Sequence, residues 1–180
     1  SNIMTSHTSS QAIDLEPTKN QHLLSGKWVL WAHLPHDTDW SLGSYKDIMR
    51  LAFAEDVVSL YSYLPEVLIK NCMLFLMRDG VTPTWEDKEN RNGGCFSYKI
   101  SNKDVPNVWR SLSYILTGET ISTDPKFILK VNGITISPKK AFCIIKIWMS
   151  SCEYQDPTKI RTFEGLPSHG CLFKRHKPQF

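Results

Sequence analysis

Between Asp104 and Leu116 the apolar residues Val105, Val108, Trp109, Leu112, Ile115 and Leu116 recur at the spacing of one helix face, and Gly118 supplies a stop. A stripe this broad has to be buried against a second layer. The flanking segments say what that layer is. Lys27–Ala32, Asn71–Met77, Cys95–Ile100 and Phe142–Met149 are short apolar or alternating runs bounded by turn residues, the pattern of strands. Glu55 to Leu64 forms another helical run, with Val57, Leu60, Tyr61 and Leu64 on one side and Pro65 as its stop. Asp79-Gly80 marks a turn, and Asn132-Gly133 predicts a tight hairpin between Phe127–Val131 and Ile134–Ser137. Strands that follow one another through turns, interrupted by two helices, predict an α+β single domain: a mostly antiparallel sheet with helices packed on one face.

The chain has 180 residues, enough for one sizeable core. Residues 1–20 are rich in Ser, Thr, Asn and Gln without periodicity and predict a flexible tail, leaving 21–180 as the folded domain. A net charge of +3 is too small to argue for DNA or other long duplexes, but it allows a local basic patch for a short anionic ligand. Five cysteines, an odd number without a Cys-x-x-Cys pair, argue against a disulfide framework or a zinc site and for a reducing, cytoplasmic setting. No secretory signal and no apolar run near the roughly 20 residues of a membrane span is present, so no membrane role is expected.

The chemistry concentrates in Pro83-Thr84-Trp85-Glu86-Asp87 and in Trp40, which follows the polar loop His36-Asp37-Thr38-Asp39. Trp85 offers a face on which a flat cationic ring stacks, and the adjacent acid reads the edge of that ring. With Trp40 on the other face the pair makes a sandwich that suits 7-methylguanine, a cationic base with two neighbouring N–H donors. Each tryptophan taken alone is also consistent with packing. Trp28, Trp31 and Trp109 read as core, while Trp148 on its strong strand fits core or pocket. His33, His36, His169 and His176 show no metal spacing, and neither a metal nor a cofactor is expected.

From His22 to about Lys174 the chain resembles the eukaryotic translation initiation factor 4E family of mRNA cap-binding proteins. The resemblance rests on an ordered series: His22-Leu23-Leu24, Trp28-x-x-Trp31, Trp40, Glu55-Asp56, Asp79-Gly80, Trp85-Glu86-Asp87, Gly93-Gly94, Trp109, Gly118-Glu119, Ile147-Trp148 and Ser168-His169. It implies a curved antiparallel sheet with helices on the convex face and the ligand slot on the concave face. It also implies base stacking by Trp40 and Trp85, guanine-edge recognition by Glu86 and contact of Trp148 with the N7-methyl group. Phosphate contacts fall to basic residues. Lys139, with Lys140 beside it, stands at a family arginine, Lys174 or Arg175 matches a basic loop position, and strand alternation puts Lys146 on the face of Trp148. Ala141 and Ile144 stand where the family has lysines, and Cys95 replaces a basic residue.

The partners implied are the capped 5′ end of mRNA and a scaffold of the initiation factor 4G type. The partner face departs from the family: Val58 replaces its exposed tryptophan, Arg110 and Tyr114 replace two leucines, and only His22, Leu23 and Leu24 keep the familiar edge. A divergent scaffold substitute is therefore expected, in a specialised or virus-encoded member. The function expected is cap binding in translation initiation without catalysis. The alternatives are a repressor that sequesters the cap and a cap-processing hydrolase, for which Glu86, Asp87 and Glu89 are the only tight acidic group.

Overall fold

The computed structural model describes Ala12, Ile13 and residues 21–180, so the expected tail lies outside the described residues except at those two positions. Ile13 donates its N–H to Ile48 O (3.1 Å) and accepts from Arg50 N (3.0 Å). The strands and α-helices of the described residues are β1 (Leu23–His33), β2 (Tyr45–Phe53), α1 (Ala54–Tyr63), α2 (Glu66–Asn71), β3 (Met73–Arg78), β4 (Gly94–Ser101), α3 (Val105–Thr117), α4 (Pro125–Ile128), β5 (Val131–Pro138), β6 (Phe142–Met149) and β7 (Leu172–Arg175). The strands form one curved antiparallel sheet in the order β2-β1-β3-β5-β6-β4-β7.

Strand alternation sorts the sheet into two faces. On β6, Cys143, Ile145, Ile147 and Met149 enter the main core, while Ile144, Lys146 and Trp148 face the other way. The main core also takes Trp28 and Leu30 of β1, Leu74 and Leu76 of β3, and Phe96 and Tyr98 of β4. Helix α3 covers it with Val105, Val108, Trp109, Leu112 and Leu116, the stripe on which the helix was expected. Helices α1, α2 and α4 add Val57, Leu60, Ile69 and Phe127 to the same core, so the four α-helices of the described residues share the convex face.

The hairpin expected at Asn132-Gly133 is not a hairpin. Both residues lie inside β5, with a register shift between Val131 and Gly133. The glycine is there for close approach: a Cβ on Gly133 would meet Leu76 O at 2.4 Å and Met77 Sδ at 2.5 Å. The run expected as the first strand of that hairpin, Phe127–Val131, instead contains α4. Asp124 accepts from Lys126 N (3.0 Å) and Pro125 stands at the first turn, a start signal stronger than the apolar run that follows. The real turn joins β5 to β6 through Lys139–Ala141. No strand was expected at β2 or β7, and no helix at α2. Between Cys152 and Ser168 the chain forms a short 3-10 turn, Pro157–Lys159, and an isolated antiparallel bridge between Phe163 and Leu166.

Candidate functional site

On the concave face Phe75, Met77, Val81, Cys95 and Trp148 make a second, smaller apolar cluster, with Trp31, Tyr45, Met73 and Trp85 packed against it. This cluster is the floor of a cleft of about 400 Å³ whose walls include Trp40, Trp85, Glu86 and Lys146. Trp148 is 5% exposed and belongs to the floor. Its indole N–H donates to Thr135 Oγ1 (3.1 Å), which fixes the ring plane.

The loop after β3 is built by its own polar side chains. Asp87 accepts from Thr82 N (2.8 Å), Thr82 Oγ1 (2.7 Å) and Glu89 N (2.8 Å). Burial works against its charge, but the Thr82 hydroxyl and the Glu89 and Thr82 amides outweigh it and hold the carboxyl below its usual range. Asn90 Nδ2 donates to the carbonyls of Thr82 (3.0 Å) and Thr84 (2.9 Å), and Asn132 Nδ2 donates to Asn90 Oδ1 (2.8 Å). The Asp87 carboxylate, the Thr82 hydroxyl and the Asn90 amide are all engaged in this frame. Glu86, by contrast, keeps Oε2 buried with no hydrogen-bond partner while its side chain lines the cleft. An unpaired buried acceptor costs free energy unless a donor arrives, so this oxygen marks a place for one.

Trp40 reaches the cleft from the β1–β2 connection. Asp37 accepts from Asp39 N (2.9 Å) and Asp39 from Ser41 N (2.8 Å), two local turns that present the indole. The ring is 54% exposed and lies flat on His33, centroids 3.7 Å apart and 5° from parallel. His33 Nε2 donates in turn to Asp39 O (2.8 Å). No sequence signal connected His33 with Trp40.

His176 was also not anticipated. It follows β7, is 8% exposed, and lies nearly parallel to Trp85 (5.9 Å between centroids, 18°) and against Trp148 (4.9 Å). Nδ1 is 2.7 Å from Asn90 O, which only accepts, so that nitrogen carries the proton. Nε2 then accepts from the Cys95 thiol, 2.9 Å away. Burial pushes the thiol pKa up and lowers that of the imidazole, so the pair is neutral.

A second cleft of about 300 Å³ shares Ser137 and Lys146 with the first and adds Lys99, Lys139 and Lys174. Of the expected basic residues, the structure brings Lys139, Lys146 and Lys174 together there. Lys140 and Arg175 line neither cleft; on β7, Arg175 alternates with Lys174 and shares its side with Phe173, which packs half-buried against the main core. Lys99 was missed: its strand parity places it with Cys95 and Ser97.

Across the sheet, the expected partner residues sit on the helical side. Leu23 and Val58 are exposed, His22 pairs with Glu55, and Arg110 Nη2 donates to Asn107 Oδ1 (2.8 Å). Tyr114 packs edge-on against Tyr61, whose hydroxyl bonds Ser113. Among the described residues no group of three or more His, Cys, Asp or Glu side chains is placed to hold a metal ion, and no helix is long and apolar enough to cross a membrane.

The family model described as eukaryotic initiation factor 4E matches residues 23–169. The chain is 26% identical over 162 residues to the eukaryotic translation initiation factor 4E of Eremothecium gossypii, covering 85% of this chain and 72% of that relative. Among solved structures, C. elegans eIF4E-3 in complex with the 4E-binding protein Mextli and a cap analog superposes with a TM-score of 0.67 at 20% identity, over 74% of this chain and 76% of the other. Schistosome eIF4E complexed with m7GpppG and 4E-BP gives 0.67 at 19% identity, with 74% of each chain covered. These two structures are alike in fold, and the family model spans most of the described chain. The chain belongs to the eukaryotic initiation factor 4E family.

Proposed function

We propose that residues 21–180 form a unit that binds the 7-methylguanosine 5′ cap of mRNA in translation initiation, in the cytoplasm. The observation that carries this reading is the unpartnered buried Oε2 of Glu86 in a cleft walled by Trp40 and Trp85. A guanine edge supplies the missing donors, N1–H and N2–H₂, and adenine has no such pair. Such a two-point contact discriminates by about 1–3 kcal/mol. Stacking contributes about 1–3 kcal/mol per base. Cation–π attraction adds up to about 2 kcal/mol for the methylated, positively charged ring only. Trp148, in the floor, meets the N7-methyl group. In this reading Trp40 leaves His33 to close over the base. The triphosphate runs into the lysine cleft, with Lys146 at the junction and Lys139, Lys174 and Lys99 beyond it. Lys140 and Arg175 act only as outlying charge.

Family membership supports the reading, as do the fold neighbours crystallised with a cap analog or m7GpppG. The family is one of cap-binding factors rather than enzymes, and no reaction step is assigned. The same neighbours carry 4E-binding proteins, so a scaffold or repressor on the helical face is part of the proposal. The exposed Val58, with Arg110 and Tyr114, favours a divergent partner there and keeps open a chain that sequesters the cap; rescue of an initiation-deficient extract separates the two.

Titration of tryptophan fluorescence with 7-methyl-GTP and with GTP tests the site. Clear preference for 7-methyl-GTP is expected, and Glu86→Gln should weaken it by about tenfold or more, because Gln turns one acceptor into a donor facing the guanine donors. Equal affinity for the two nucleotides refutes the charged sandwich.

A further inference from the structure

The chain does not leave the cleft after β7. His176 anchors it beneath the tryptophans through Cys95 Sγ, Asn90 O and a backbone N–H to Gly93 O (2.9 Å). Four residues later a second tether appears: Arg91 Nη2 donates to Phe180 O (3.3 Å), and Nη1 of the same guanidinium donates to Glu86 O (3.5 Å). Between the two tethers the backbone is stiffened by Pro178. Gln179 and Phe180 line the cleft, and Phe180 also lines a neighbouring recess that runs from Trp40 and Leu42 to Thr82 and Asp87. The segment therefore spans the mouth between the two loops that carry Trp40 and Glu86.

Phe180 is 87% exposed. A segment that blocked the cleft would bury this ring in it, yet about 400 Å³ stay open beside it. A large apolar ring held in water at the rim of an aromatic slot gains burial only when something enters the slot.

We infer that residues 177–180 are a ligand-closing strap, tethered at His176 and Arg91, which lays Phe180 against the bound methylated nucleotide as a further aromatic wall. The inference rests on the cap reading. In it the strap slows release: Phe180 covers the base or first ribose that Trp40 and Trp85 hold, and Gln179 adds an amide at the rim.

The test uses 7-methyl-GTP and stopped-flow tryptophan fluorescence on the full chain, on the chain lacking residues 178–180, on Phe180→Ala and on Arg91→Ala. His176 and the main core are untouched in each, and equal urea midpoints confirm folding. Removal of 178–180 and Phe180→Ala should each weaken binding by about tenfold, the lower end of what one aromatic contact to a base contributes. Most of the change should be in the dissociation rate. Arg91→Ala should act in the same direction and less. Phe180→Trp should restore slow release. Unchanged affinity on removing 178–180 overturns the strap, and tighter binding overturns it in favour of a plug. A full chain that fails to bind 7-methyl-GTP overturns the cap reading, and the strap with it.

Discussion

At the scale of the residue, the site depends on a few side chains whose chemistry is forced by their neighbours. Asp87, Asn90 and Asn132 hold the loop of Glu86 through their side chains, and none of these bonds uses the Glu86 carboxylate. His176 is the least expendable of the rest. Its neutral form accepts from the Cys95 thiol, donates to Asn90 O and backs Trp85, whereas a protonated ring has no acceptor to offer the thiol and sits near Lys146. Burial is the main cause of its lowered pKa, with Lys146 adding to it and the Asn90 bond opposing. The folded protein consequently binds fewer protons here than the unfolded chain, whose histidine titrates near 6.5. Stability from this group is complete above that value and is lost as pH falls below it toward the folded pKa. Urea unfolding of the wild type should show a larger loss between pH 7.5 and 5.5 than His176→Gln, which cannot titrate. Parallel losses would mean that the imidazole gains its proton without disturbing the floor of the slot.

At the scale of the element, glycines decide how closely the strands approach the site. Gly133 pairs with Met77 on one side and Trp148 on the other. Gly133→Ala pushes a methyl into Leu76 O and Met77, both in the packed middle of the sheet. It should destabilise the fold by about 1–3 kcal/mol, the usual cost of overpacking, and weaken nucleotide binding as Trp148 shifts. An unchanged urea midpoint would show that the β5 bulge relaxes freely. The same residue shows what local sequence hides. Asn-Gly is a hairpin signal only when the flanking runs pair with each other, and here Asp124-Pro125 starts a helix on one side instead. Helix α3 was legible because its stripe is local and periodic, as was β6 because it is a short apolar run broken by a single charge, Lys146. Strand β2 was not, since Tyr45–Phe53 mixes charge into both parities. The geometry of the site was legible only in its local half. Trp85-Glu86-Asp87 is contiguous, whereas the contacts of His176 cross 81 and 86 residues and depend on β7 lying beside β4.

At the scale of the whole molecule, one sheet separates the two proposed binding surfaces. The slot and the lysine cleft occupy the concave face, and Val58, Arg110 and Tyr114 stand on the helices of the other. The main core lies between them, so changes on the helical face should leave nucleotide binding alone. Where the family offers an exposed tryptophan and two leucines to a 4G-type motif, this chain offers a small β-branched side chain, a cation and a tyrosine already packed against Tyr61. Loss of an aromatic anchor at the centre of an interface costs about 2 kcal/mol or more. A 4G-type motif peptide should therefore bind at least about tenfold more weakly than to a family member with the tryptophan in place. The triple variant Val58→Trp, Arg110→Leu, Tyr114→Leu should regain binding, with its affinity for 7-methyl-GTP unchanged. Calorimetric titration of both chains with peptide and nucleotide checks each statement separately. Ordinary peptide affinity in the wild type would show that Leu23 and Leu24 with the edge of α1 suffice for docking. A nucleotide affinity that moved with the helical face would show instead that the core transmits strain between the two faces of the sheet.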